Sequence, residues 1–472
     1  MIAFFENIQH ENYKYGLFII ILAGISLLFL NYLILGILLS VLLFIFLIYN
    51  DDSLLFFSIL LFLVFIGEGI GPTFRLIFQI TALSLILFLF LKKYGFEFES
   101  FPKVPKQFIL LILFLYAAIF ISSFFSKYSG ASIGLIFRLT AFLFIVYLFY
   151  GQLNSSHSTK VILISLFSAS AIMAVAVFYD FFVNGISLIN FISVSYRASG
   201  IISNFNATSG FFAITIPITF ALLFSSIEKS KKILLTAFLF VQVFGVLFTG
   251  SRSAYLAIFA STVIILYNFD KKLLKKVAVV SIIVVLILIL IEPVRDFVTM
   301  FFRIERGVTS RDKLWEISLS MIKENFLFGI GPGSYKYEMF NYFPVIIDSF
   351  QGKLLMTLFD YTDGRNVSHN FYLTLFSDLG ILGFVFSILF PLLIFSFLKK
   401  IIKHLKEIKE TEYFIFVGIA GTVGGMFIRG FFEGINLMSY GAIYVDLPLW
   451  LLISITLYYY NKLFNNQKKI VE

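Results

Sequence analysis

One histidine and a scattered set of arginines are the residues whose types suit chemistry at a charged site. Of the four histidines, His10, His157 and His404 fall at the N-terminus or in segments that lysine dominates, whereas His369 precedes Asn370 at the mouth of an apolar run. An imidazole there could take a proton from a hydroxyl nucleophile, and a hydrogen-bonded structural role is the alternative open to any lone histidine. The ten arginines are Arg75, Arg138, Arg197, Arg252, Arg295, Arg303, Arg306, Arg311, Arg365 and Arg429. A guanidinium binds phosphate oxygens in pairs and keeps its charge when partly desolvated, so several together suit a pyrophosphate. Helix capping, snorkelling to headgroups and pairing with Asp or Glu stay open for each of them. If a diphosphate is a leaving group, such cations stabilise the charge that develops as its bond breaks. A base on the opposite side would activate a hydroxyl nucleophile.

The elements that must position these residues are membrane spans. The 472 residues are 60% hydrophobic, with a mean hydropathy of +0.97 and no cysteine. Many separate apolar runs are long enough to cross ~30 Å of hydrocarbon at 1.5 Å per residue. The runs lack period-2 alternation and are too long for barrel strands, which excludes a β-barrel. The expected fold is therefore all-α: a polytopic transmembrane helical bundle of 12–14 spans with one large outer loop containing short helices. The spans read as 16–30, 32–49, 53–67, 73–91, 108–123, 131–150, 160–183, 207–225, 233–249, 252–268, 275–291, 370–398, 412–430 and 440–461. Within 16–67, Asn31 and the Asn50-Asp51-Asp52 turn could mark kinks instead of reversals. The first apolar run shows no small-residue cleavage motif, so it reads as a retained span. Absence of cysteine rules out disulfides, thiol catalysis and thiolate metal sites.

Short-loop charge sets the orientation. With both termini inside, the inner segments hold 21 of the 26 lysines and no arginine, including Lys92, Lys93, Lys229, Lys271, Lys272, Lys399 and Lys400. The arginines fall in outer segments, Arg138 about two turns into its span. This places the chain in the cytoplasmic (inner) membrane with a charged site on its outer face, and the net charge of +9 calls for no nucleic-acid partner. Three regions follow: 1–292 with eleven spans, an outer loop at 293–368, and 369–472 with the last three spans and a cytoplasmic C-terminus.

The outer excursion begins with Phe297, Val298, Phe301 and Phe302 opposed by Arg303, Glu305 and Arg306, a helical pattern that would lie along the interface. A second helix should start at Ser310 as N-cap and carry Leu314, Trp315, Leu319, Ile322 and Phe326 as its apolar stripe. Gly329, Gly331, Pro332 and Gly333 end it. Their amides could cradle an anion, but the Lys-Ser/Thr of a P-loop is missing and turn formation is the simpler role. Glu68, Asp312, Asp363 and Glu433 have no metal-ligand spacing. Glu433 reads as the i,i+4 partner of Arg429.

The stretch Ser310-Arg311-Asp312-Lys313-Leu314-Trp315, then Phe328 to Tyr335, then Ser368-His369-Asn370-Phe371-Tyr372-Leu373 running into Leu379-Gly380-Ile381-Leu382-Gly383, resembles the O-antigen ligase family. That family includes O-antigen and capsule polymerases and protein O-oligosaccharyltransferases. Thr249-Gly250-Ser251-Arg252-Ser253-Ala254 is similar to its arginine motif, and Arg197-Ala198-Ser199-Gly200 with Asn204 and Asn206 to another outer element. The resemblance covers about 190–390 and lies in the order of the motifs. It implies inverting, metal-independent and cofactor-free transfer of a glycan from a polyprenyl-diphosphate donor to a hydroxyl on a lipid, glycan or protein. It assigns Arg252 and Arg311 to the diphosphate and His369 to the base. Arg138, Arg197, Asn206, Tyr335, Arg365 and Asn370 are the expected substrate-binding residues, Arg365 and Asp363 being candidates for the acceptor. Asp378, where the family often has Glu, and two extra N-terminal spans depart from the pattern. The competing class is a transporter or flippase of lipid-linked sugars, for which midplane charges and repeated halves would be expected but are not evident.

Overall fold

The computed structural model describes residues 50–65, 71–183, 197–301, 311–339, 341–342, 368–407, 411–440 and 442–465. Helices dominate, and no strand occurs among the described residues. In chain order they are α1 Asp51–Val64, α2 Pro72–Tyr94, α3 Lys106–Phe125, α4 Ser129–Gln152, α5 Ser156–Val183, α6 Phe205–Leu222, α7 Lys229–Thr249, α8 Arg252–Phe269, α9 Lys271–Leu290, α10 Glu292–Phe301, α11 Arg311–Glu324, α12 Tyr335–Glu338, α13 Phe371–Leu405, α14 Thr411–Arg429 and α15 Ile443–Tyr460. Each expected span from 53–67 onward has a helix. Nine of the described helices are long and apolar enough to cross a membrane. The expected spans 16–30 and 32–49 lie outside the described residues. The Asn50 side chain accepts the Asp52 amide and caps α1.

The bundle has two chemically distinct ends. At one, Lys92 meets Asp51, His157 meets Asp52, and Asn461 and Tyr150 both donate to the Lys103 carbonyl. At the other lie the starts of α6, α8 and α13 and the end of α14, joined by the polar contacts described below.

α14 holds that second end together. Gly418, Gly421 and Gly425 form a seam against α6 and α8, so close that an added Cβ at Gly425 would strike the Ala257 carbonyl and Ser261 side chain. Helices without a hydrophobic driving force in lipid gain contact by such backbone approach. The seam sets the end of α14 beside the first residues of α6 and α8.

α13 breaks at Gly380, where φ is 65° and ψ −153°. The amides and carbonyls freed by the break are used by the glycine-rich segment: Ile330 donates to the Ser377 carbonyl, Gly331 to the Asp378 carbonyl, and Ile381 to the Phe326 carbonyl. Gly333 donates to Asp378 Oδ2 at 3.1 Å. The amides are therefore spent on bracing the kink, which settles the anion-or-turn alternative in favour of the turn. Gly380→Ala would force a left-handed backbone on alanine and drive its Cβ into the Leu327 backbone. A loss of about 1–3 kcal/mol is expected, read as a lower melting temperature of the purified protein.

The helix expected after Ser310 is α11, but its buried face differs from the expected stripe. Leu314, Ile317, Ser318, Met321 and Ile322 are buried, while Leu319 and Phe326 are exposed. The i, i+3, i+4 row through Leu314 wins because it meets Ile330, Tyr335 and Met339 in a small separate core.

Candidate active site

Glu433 is the centre of the polar cluster. It sits just past α14, fully buried, and its carboxylate reaches residues from three other parts of the chain. Oε1 lies 3.1 Å from His369 Nδ1, and Oε2 accepts from Arg311 at 3.2 Å and from Asn206 Nδ2 at 3.1 Å. Burial alone would raise this acid. The His369 imidazole and the guanidiniums of Arg311 and Arg429 outweigh burial and hold it at about 2, below the ordinary 4.5. An ionised carboxylate can only accept, so His369 Nδ1 carries the proton and the lone pair of a neutral ring sits on Nε2. That is the tautomer a base needs, fixed by the same device that orients histidine in Ser-His-Asp triads.

The backbone around His369 is built to hold the ring. His369 has a φ of 50°, a conformation a non-glycine residue adopts only when its surroundings enforce it. Asn370 does much of the enforcing: Oδ1 caps α13 by accepting the Tyr372 and Leu373 amides at 3.0 Å, and Nδ2 donates to the Phe431 carbonyl at 3.0 Å. Phe371 N donates to the Gly430 carbonyl at 2.7 Å, tying the start of α13 to the end of α14. Asn370 is thus a positioning residue, and the His369 side chain remains about a third exposed at 30%.

Asn206 links the arginines to this pair. Its Oδ1 accepts from Arg197 and Ser251, and its backbone carbonyl accepts from Arg429 at 2.7 Å. Arg197 also donates from Nε to the Thr249 carbonyl at the end of α7 and lies 3.4 Å over the Phe205 ring. Arg252 opens α8 close enough to Arg311 for their like charges to interact. Guanidiniums held together in a partly buried place repel one another, and an anion between them would relieve that repulsion.

The structure therefore gathers Arg197, Asn206, Arg252, Arg311, His369 and Asn370. It does not bring Tyr335 or Arg138 to the same cluster. Tyr335 is buried in the α11–α12 core, where its hydroxyl donates to the Leu314 carbonyl at 2.9 Å and accepts from Ser318. Arg138, largely exposed on α4, donates from Nε to the Tyr440 carbonyl at 2.7 Å. Arg365, Arg303 and Arg306 lie outside the described residues.

The expected Arg429–Glu433 pair interacts through charge but not through a side-chain hydrogen bond. Their backbones share an i,i+4 hydrogen bond, but the Arg429 side chain turns to Ser253, the Ile435 carbonyl, Asn436 and the Asn206 carbonyl. The Glu433 carboxylate is thereby left to hydrogen-bond with His369, Arg311 and Asn206. Nothing in the spacing distinguished Glu433 from other acids. The one local signal was a carboxylate within the apolar Phe431-Phe432-Glu433-Gly434 stretch, where burial without partners would be costly.

Residues 235–388 match the family model described as O-antigen ligase. Over this third of its length the chain is similar to that family. Together with the apolar helices this similarity indicates a multi-pass membrane protein. The matched segment contains Arg252, Arg311 and His369 and ends before Glu433. No curated protein matches the chain.

Proposed function

We propose that this protein belongs to the O-antigen ligase family and moves a glycan from a polyprenyl-diphosphate donor to a hydroxyl acceptor, with inversion, at the outer face of the cytoplasmic membrane. The observation that carries the reading is the buried Glu433 carboxylate, which holds the proton-bearing nitrogen of His369 and the Arg311 guanidinium within 3.2 Å. One group thus sets the distance between a base and a cation. The donor's diphosphate would lie along Arg311, Arg252 and Arg197, whose charge stabilises the leaving group. His369 Nε2 would take the acceptor's proton as its oxygen attacks the anomeric carbon from the opposite side. The proton ends on imidazolium, stabilised by Glu433, and the diphosphate leaves with the electrons of the broken bond.

Transfer is tested with purified protein in detergent, where no second compartment exists. Product should form from a polyprenyl-diphosphate glycan and a hydroxyl acceptor, and His369→Ala should lower kcat by about 10²–10⁴-fold with less effect on donor KM. Transport of the lipid-linked glycan only in sealed vesicles, without transfer in detergent, would support the flippase reading instead.

The outer-face placement rests on lysine-rich segments lying inside. On this cysteine-free background, a membrane-impermeant thiol reagent applied to intact spheroplasts should label Lys127→Cys and miss Lys272→Cys. The reverse pattern would invert the orientation.

A further inference from the structure

Arg429 differs from Arg311 in being enclosed by the protein. It is fully buried at the end of α14, whereas the Arg311 side chain stays 21% exposed. A guanidinium carries five N–H groups, and four of those on Arg429 have protein acceptors. Nε donates to Ser253 Oγ at 3.3 Å. One terminal nitrogen donates to the Ile435 carbonyl at 2.8 Å and to Asn436 Oδ1 at 2.9 Å, and the other to the Asn206 carbonyl at 2.7 Å.

These acceptors are the neighbours of the reactive groups. Ser253 follows Arg252 at the start of α8, Asn206 reaches the Glu433 carboxylate from the start of α6, and Ile435 and Asn436 lie just past Glu433. Asn436, with a φ of 71°, is fastened in turn, its Nδ2 donating to the Ala207 carbonyl of α6 and the Val445 carbonyl of α15. α6 makes room for this arrangement at Gly210, where a Cβ would strike both Asn436 Oδ1 and the Arg429 guanidinium. One planar fork thus ties together α6, α8 and the segment after α14, which a point charge on a flexible stem would not do.

The charge has its own consequence. Burial opposes ionisation of Glu433, and His369, Arg311 and Arg429 together outweigh it. An enclosed guanidinium with no anion nearby would be costly, so Arg429 and Glu433 each offset part of the other's desolvation although no hydrogen bond joins their side chains.

We propose that Arg429 is a positioning residue for glycan transfer, whose guanidinium, seated against Gly210, fixes Glu433, Asn206 and Arg252 relative to one another and sets a positive charge beside the Glu433 carboxylate. The inference rests on the function proposed above, because Arg429 acts through Glu433 and Arg252.

The test compares Gly210→Ala and Arg429→Gln in the purified full-length protein, with kcat measured between about pH 5 and 9 and corrected for the folded fraction. The charged groups of the cluster that faces His369 are Glu433 and Arg429 from the end of α14, Arg311 and its neighbour Asp312 from α11, Arg252 from α8 and Arg197 ahead of α6. Gly210→Ala keeps all of these charges and displaces the guanidinium. Its plateau kcat should fall about 10²-fold, the cost of a misplacement of roughly 1 Å, with the acid side of the pH profile unmoved. Arg429→Gln also removes a cation, so His369 takes up a proton more readily and the acid side should move about one pH unit upward.

A purely structural role would lower the folded fraction alone. A wild-type plateau in Gly210→Ala would therefore overturn the geometric part of the proposal, and an unmoved acid side in Arg429→Gln the electrostatic part. His369→Ala separates this inference from the one beneath it. Transfer by His369→Ala at the wild-type rate would overturn the proposed function itself, whereas its loss, with Gly210→Ala and Arg429→Gln both matching the wild type, would overturn the role of Arg429 alone.

Discussion

Glu433→Gln is expected to cut glycan transfer by up to about 10⁴-fold, the size of loss seen when the carboxylate behind a triad histidine becomes an amide. An amide can donate as well as accept. Its NH₂ group can face His369 Nδ1 and move the ring proton to Nε2, the atom that must receive the acceptor's proton. It also removes the negative charge paired with Arg311, which stands beside Arg252. The loss should fall on kcat more than on donor KM. Glu433→Asp keeps the charge, shortens the reach, and should recover part of the rate. Equal transfer by wild type and Glu433→Gln in a purified system would remove Glu433 from the mechanism.

The same carboxylate predicts a pH dependence of stability. Its acid is depressed to about 2 in the folded protein from an ordinary 4.5. A depressed acid contributes stability that is complete above the unfolded value and is lost as the pH falls through the folded one. The melting temperature of the wild type should therefore fall between about pH 4.5 and pH 2 more steeply than that of Glu433→Gln, which has no such proton to bind. Parallel curves would show that the carboxylate is not held as described.

The second large effect is expected at Arg311. Arg311→Ala should reduce transfer by about 10³-fold or more, and Arg311→Lys should recover little of it. A guanidinium has donors enough to hold the Glu433 carboxylate and still face a phosphate, whereas an ammonium is a point charge on a flexible stem. Arg252→Ala should behave similarly toward the donor, because Arg252 acts beside Arg311 by charge. A donor-affinity measurement separates the two: Arg252→Ala should weaken donor binding, and Arg311→Ala should weaken binding and also slow turnover of bound donor. Full transfer activity in Arg311→Lys would show that charge alone suffices.

The chain's amino acids by themselves settled the helical class, since runs of apolar residues without alternation have no other way to satisfy their backbone in lipid. They also placed twelve helices close to their observed bounds and marked Arg252, Arg311 and His369, because chemically unusual side chains at the ends of apolar runs stand out against a uniform background. The cap made by Asn370 and the break at Gly380 emerged only in the structure. What the linear order could not supply was the partner of each group. Glu433 looked like a neighbour of Arg429 at i,i+4, yet the α14 glycine seam brings that helix end against α6 and α8, where Ser253, Asn436 and the Asn206 carbonyl take the Arg429 guanidinium. The carboxylate is then free to meet His369, 64 residues away, and Arg311, 122 residues away. Tyr335 and Arg138 went elsewhere for the same reason. Residue type shows what a side chain is able to do, while long-range packing selects the atoms it does it with.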